Sequence, residues 1–279
     1  MEWIDLLYSL TTLVSFVVNV ILLVCNYRRG EGRWSTDGIL ITINALLDSI
    51  LAAYAVSSTL VRIQYPSTIF RDSLWCHITL FIERALSTAC LNTVMLLALV
   101  RYLVIVHKTN PYPRFWAFVA FGLILALLIL AGICSRDSKL YVYPSGMYCY
   151  PVFSRLENTS KAVYLFYLIF YIPHLLIISF CYLRISWHYQ QLLRAREFRA
   201  TTGVWGKILG LFVVVLAYWV SIIPHIVIVN IVNPNITLDG LFYWFKGCFL
   251  LINALFPVLF HLEIQDNFKQ LFSLKESHQ

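Results

Sequence analysis

Seven long apolar stretches, parted by short polar ones, run almost the length of this 279-residue chain and leave it little choice of architecture. A bilayer's hydrocarbon core is about 30 Å thick and a helix rises about 1.5 Å per residue, so about 20 mostly apolar residues span it. The stretches read Trp3 to Tyr27, Gly38 to Ile63, Leu74 to Val106, Phe115 to Cys134, Ala162 to Trp187, Gly206 to Val232 and Leu241 to His261. In lipid every backbone donor and acceptor must be satisfied within its own segment, so unbroken apolar runs predict helices. The expectation is an all-α membrane protein, a single seven-transmembrane helix bundle over residues 1–279. With 60% hydrophobic and 13% charged residues, the composition is unlike that of an ordinary soluble domain. The first run lacks a basic leader and a small-residue cleavage site, so it reads as a helix and not as a signal peptide.

Lys and Arg accumulate on the cytoplasmic side of membrane proteins. With the amino terminus outside, thirteen fall in cytoplasmic segments (Arg28, Arg29, Arg33, Arg101, Lys108, Arg114, Arg184, Arg194, Arg196, Arg199, Lys207, Lys269, Lys275) against six outside (Arg62, Arg71, Arg136, Lys139, Arg155, Lys161). That orientation puts the sequons at Asn158 and Asn235 in extracellular loops, where they are glycosylation candidates. It also puts Cys76 and Cys149 on the oxidising side, where they are expected to pair, the alternative being two free thiols. Cys25, Cys90, Cys134, Cys181 and Cys248 lie in or near the spans without metal-ligand spacing and read as packing residues. The formal charge of +7 belongs mainly to the cytoplasmic loops and suits anionic headgroups and an acidic partner, not nucleic acid.

Polar residues inside the spans carry the rest of the reading. Trp75-Cys76 opens the third stretch and Arg101-Tyr102 closes it; Asn19 and Asp48 stand in the first two; Asn253 and Pro257 stand in the last, within Asn-Ala-Leu-Phe-Pro. In these motifs the chain resembles the rhodopsin-like G protein-coupled receptors over essentially its whole length. The resemblance implies that Arg101, with Tyr102 and Tyr182, meets a heterotrimeric G protein when the bundle opens at the plasma membrane. It also implies a sodium ion held by Asp48 with Asn19, Asn253 and Cys90. The alternative is a protonated Asp48 hydrogen-bonded to Asn19; a carboxylate in a span is costly by roughly 2.5–3.5 kcal/mol and so suggests a function.

Several family positions differ. Val100 stands where the acid of Asp-Arg-Tyr belongs, Trp219 and Pro224 are too far apart for the Trp-x-Pro switch, and Phe256 and Phe260 replace the Asn and Tyr of Asn-Pro-x-x-Tyr. Phe260 lacks the hydroxyl that would link the last helix to Tyr182. Pro173, Pro224 and Pro257 are candidate hinges, because a helical proline removes a backbone donor. Ile264, Phe268, Leu271 and Phe272 share one face of a segment over 264–273, which reads as an interfacial eighth helix in contact with membrane lipids.

The ligand is expected in the outer half of the bundle, near Glu83, Arg84, Ser87, Tyr218, Trp219, Ile222, Tyr243 and Lys246. Glu83 either meets a cationic ligand or pairs internally, with Lys246 or His225 as partner. Aromatic residues along the last three stretches favour a small organic or lipid-like ligand. Retinal is not favoured, because Lys246 lies one turn outward of the opsin lysine position, which Leu250 occupies. Catalysis is not expected: the seven histidines are scattered and no His-x-x-x-His pair occurs. A receptor-like protein that no longer signals, acting as a scaffold or partner subunit, is the main alternative. A transporter ranks lower, because no internal repeat is visible.

Overall fold

The computed structural model describes residues 2–27, 35–64, 74–136, 140–142, 149–151, 158–194, 202–228 and 236–260. Seven helices appear in chain order: α1 (Glu2–Tyr27), α2 (Thr36–Gln64), α3 (Leu74–His107), α4 (Pro113–Arg136), α5 (Asn158–Arg194), α6 (Thr202–Ile228) and α7 (Ile236–Phe260). Among the described residues six of them, α1 to α5 and α7, are long and apolar enough to cross a membrane, and α6 adds the shorter apolar segment Leu209–Ile223. The chain is thus a multi-pass membrane protein by length and composition of its helices.

Neighbouring helices form a ring, α1 on α2, α2 on α3, α3 on α5, α5 on α6, α6 on α7 and α7 back on α1, with α4 docked outside against α3 and α2. The residue pattern explains these places. Over its most apolar window α3 is 56% buried and α4 only 17%, so α3 is the central post and α4 a peripheral one. On α4 the exposed Phe118, Phe121, Leu125, Ile129 and Ile133 recur every three or four residues, a stripe that only lipid can solvate favourably. On α5 and α6 the same spacing points inward: Leu175, Ile178, Tyr182 and Ile185 meet Leu211, Val214, Tyr218 and Ile222 in the main core cluster.

The ends of α2 and α3 are built locally. Ser35 caps α2, its hydroxyl accepting from the Gly38 amide at 3.1 Å, and the Thr36 hydroxyl donates to the Pro111 carbonyl at 2.7 Å, which ties α2 to the α3–α4 connection. At the end of α3, Lys108 adopts a left-handed backbone (φ 51°), and the Thr109 amide and hydroxyl both donate to the Leu103 carbonyl. Gly247 lets α7 approach α1: a Cβ there would lie 2.7 Å from the Tyr8 ring.

Three details differ from the expectation. The helical architecture carries a short hairpin between α4 and α5: β1 (Leu140–Val142) pairs antiparallel with β2 (Cys149–Pro151), Val142 opposite Cys149. Aromatic and β-branched residues on either side of Pro144-Ser145-Gly146 carry that hairpin signal, which the search for apolar runs overlooks. α5 starts at Asn158, so this sequon opens a helix and does not sit in a loop; at its other end the helix persists to Arg194, because neither end carries a stop signal where hydropathy falls. α7 starts at Ile236, which brings Asp239 into its first turn, where a carboxylate complements the helix dipole. The helices run without a break through Pro173, Pro224 and Pro257. Asn235 and the segment 264–273 lie outside the described residues.

Candidate functional site

Three polar layers cross the interior along α3, and Glu83 in the first is separated from Arg101 in the last by roughly 27 Å of helix. The outer layer centres on an ion pair between Glu83 of α3 and Lys246 of α7, with side chains 12% and 20% exposed. Of the two sequence alternatives for Glu83, the internal partner is the one present. The Lys246 ammonium also lies 5.8 Å from the Tyr243 ring, which packs on Tyr8 at 4.9 Å, their hydroxyls 3.5 Å apart. Tyr54 of α2 stands beside Thr79 and within electrostatic reach of Glu83. Arg84 and Ser87 are buried at this level, and the Arg84 carbonyl accepts from Thr88. Within the first turn of α3, Cys76 is disulfide-bonded to Cys149 with Cα atoms 5.7 Å apart, which pins β2 over this end of the bundle.

The middle layer is a chain of hydrogen bonds. Asp48 is fully buried and accepts from the Asn44 amide at 2.8 Å and the Asn253 amide at 3.4 Å; the Tyr218 hydroxyl donates to the Asn253 carbonyl oxygen at 2.8 Å, and the Cys90 thiol adjoins the Asp48 carboxyl. Tyr218, expected near the ligand, therefore belongs to this deeper network. Asn19 does not join it: its amide donates to the Ser15 carbonyl and hydroxyl on its own helix. The groups turned toward Asp48 are the side-chain amides of Asn44 and Asn253 and the Cys90 thiol. Among the described residues no three His, Cys, Asp or Glu side chains converge as a metal site. Between α3, α5 and α6, the Thr88 and Tyr171 hydroxyls meet at 3.1 Å, and the Trp219 indole donates to Ser179 at 2.9 Å. His174 of α5 bonds the Phe170 carbonyl at 2.7 Å and approaches Asn92 at 3.4 Å. Ile222 lies in the apolar core beside these contacts.

The inner layer supplies what the sequence lacked. Arg101 has no acid beside it on α3, yet its Nε and Nη2 donate to the two carboxylate oxygens of Asp37 at 3.1 and 3.2 Å. This bidentate geometry is the strong form of an arginine–carboxylate pair. Asp37 is the second residue of α2, placed there by the Ser35 cap, and an acid in the first turn also complements the helix dipole. On the other side the guanidinium lies over the Phe256 ring at 4.9 Å from its centroid. Tyr182 packs on the same ring at 5.3 Å; its hydroxyl sits beside the guanidinium but finds no hydrogen-bond partner of good geometry. Tyr102 turns away, bonding His107 at 3.0 Å. Arg101, Asp37, Tyr182 and Phe256 line a cavity of about 620 Å³ at this end of the bundle.

Sequence reasoning missed Asp37, Tyr8, Tyr54 and Asn92. Asn92 carried a usable signal, a polar residue deep in an apolar span; Asp37 did not, because a carboxylate at a helix start is an ordinary cap. Cys25 and Cys181 are buried thiols outside any disulfide, and Cys248 is a half-buried one. No known family's sequence pattern matches the chain, and no curated protein matches it either.

Proposed function

We propose that this chain is a seven-transmembrane receptor of the rhodopsin-like kind, in the plasma membrane with its amino terminus outside, which senses a small or lipid-like ligand and activates a heterotrimeric G protein. The observation that carries this reading is Arg101, held at the inner end of the central helix by Asp37 and facing a cavity, at the opposite end from the Cys76–Cys149 disulfide. The orientation agrees with the excess of Lys and Arg near Arg101. Asn158 and Asn235 are then outside and open to glycosylation.

In this reading α7 links the layers. It carries Lys246, Asn253 and Phe256, which touch Glu83, Asp48 and Arg101 respectively. A ligand that competes for Glu83 or Lys246 releases α7 at the outer end, and the displacement reaches Phe256 under the guanidinium. Arg101 leaves Asp37 and becomes available to the G protein. Asp37 substitutes for the acid that position 100 lacks, and Phe256 supplies an aromatic support that needs no hydroxyl at position 260.

The test is basal activation of chimeric G proteins in cells, comparing the chain with Arg101→Ala at matched surface level. A signal that disappears in the variant supports coupling through α3. An unchanged signal overturns the mechanism, and silence from both well-expressed proteins favours the non-signalling scaffold.

A further inference from the structure

On the outer face of the seam between α3 and α5, toward their C-terminal ends, stand basic and aromatic groups that the three polar layers do not use. Tyr102 of α3 meets Phe180 of α5 edge to face, ring centroids 5.7 Å apart, and packs on His107 in the same manner at 4.9 Å. Phe180 is 54% exposed, so this contact looks out of the bundle. As alternate members of an up-and-down bundle, α3 and α5 run parallel. His107 follows Tyr102, and Arg184 follows Phe180, by rises of about 7.5 and 6 Å along their helices. The imidazole and the guanidinium therefore stand at about one depth, on either side of the seam.

Arg184 is the informative member. It is exposed within the apolar span Phe170–Leu192, on the same side as the exposed Phe180 and Trp187. Among the described residues no carboxylate pairs with it; its guanidinium lies over the Trp187 ring, 5.4 Å from the centroid and about one turn nearer the helix end. A charge facing lipid inside a span is costly unless its side chain reaches the headgroup layer, and the lean toward Trp187 carries it that way. Stacking on the ring leaves the in-plane N–H groups free to donate. The depth of the headgroups is marked twice, by Trp187, a residue type that settles there, and by His107, where the α3 span ends. Lys108 adds a second exposed cation beside His107. When the Tyr102 phenol donates to Nε2 of His107 at 3.0 Å, the other ring nitrogen carries the proton and is itself a donor. α3 beyond Glu83, all of α4 and all of α5 contain no acidic residue, so nothing on these helices neutralises the patch.

We propose that the outer face of the α3–α5 seam is a binding site for an anionic phospholipid, whose phosphate lies between Arg184 on one side and His107 and Lys108 on the other. The acyl chains run along the exposed Phe180 and Leu176. Charge complementarity selects the head, and the apolar stripe of α5 selects a lipid over a soluble anion. The site stands apart from the receptor reading and holds whether or not the chain signals.

The test is native mass spectrometry of the full chain released from detergent micelles, titrated with dioleoyl phosphatidic acid or with dioleoyl phosphatidylcholine, whose ammonium cancels the headgroup charge. The parent is expected to retain phosphatidic acid in preference to phosphatidylcholine. Arg184→Gln should lower that preference about fivefold, the worth of one basic side chain against an anionic headgroup. Trp187→Leu keeps every charge but removes the ring that holds the guanidinium, and should lower it about twofold to fivefold. Arg28→Gln makes the same change of charge in the connection between α1 and α2 and should leave the preference as in the parent. Arg184 faces outward, so its replacement spares the packed interior; if that variant fails to fold, Trp187→Leu and His107→Gln read the same site. Equal retention of the two lipids by the parent, or an undiminished preference in the seam variants, overturns the site. A loss in Arg28→Gln equal to that in Arg184→Gln would report net charge alone and overturns it too. Excess glycerol 3-phosphate, a headgroup without chains, should leave the lipid bound; full displacement would assign the patch to a soluble phosphate and overturn the lipid proposal.

Discussion

At the scale of single residues, the decisive placement is Asp37. Its carboxylate holds Arg101 across a helix boundary, so Asp37→Asn leaves a guanidinium with one neutral acceptor in place of a bidentate anion. In the receptor reading proposed above, basal G protein activation should rise several-fold over the parent at matched surface level, and a variant as quiet as the parent would show that the pair does not restrain Arg101. The pair is partly solvated, so its loss should cost about 1–3 kcal/mol of stability, between the exposed and buried extremes. Glu83 and Lys246 make the same argument at the outer end. Glu83→Gln or Lys246→Met alone strands the other charge in an interior site, whereas the double variant leaves two neutral groups. Surface expression and thermal stability should fall in each single variant and recover in the double; additive losses would mean that the two charges do not support one another.

At the scale of elements, α1 and α7 meet through a glycine. The Tyr8 ring occupies the space a Cβ at position 247 would need and is itself stacked on Tyr243, so it cannot move aside cheaply. Gly247→Ala should destabilise the α1–α7 contact by about 1–3 kcal/mol, the usual cost of overpacking. Combining it with Tyr8→Leu should restore much of the loss, as read by thermal unfolding in detergent. A fully tolerated Gly247→Ala would show that α1 is loosely held. Helix identity was legible from apolar runs alone, whereas helix ends were not. α5 and α7 each begin several residues before their hydropathy rises, because polar turns such as Asn158-Thr-Ser-Lys and Thr237-Leu-Asp continue a helix without being apolar. The β1–β2 hairpin was equally hidden from a reading tuned to twenty-residue segments.

At the scale of the whole molecule, the Cys76–Cys149 bond closes a loop of 73 residues that contains most of α3 and all of α4. Chain entropy sets its worth at about 4 kcal/mol for a free chain, and at less here because the intervening helices stay confined to the bilayer when the bundle loosens. Cys149→Ser should lower both surface expression and the thermal midpoint, and a reductant should reproduce the shift in the parent but not in the variant. The sequence by itself determined a membrane-spanning helical chain and several of the polar residues inside it, Arg101, Asp48, Glu83 and Lys246 among them, because hydropathy and charge cost act on each segment separately. Which polar groups meet was decided only by tertiary packing. Glu83 had two candidate fates until α7 brought Lys246 to it, Tyr218 reached Asn253 and not the outer site, and Asn19 stayed with its own helix. Asp37 and Arg101 are 64 positions apart, and no local pattern joins them; they meet because the Ser35 cap aims the start of α2 at the last turns of α3.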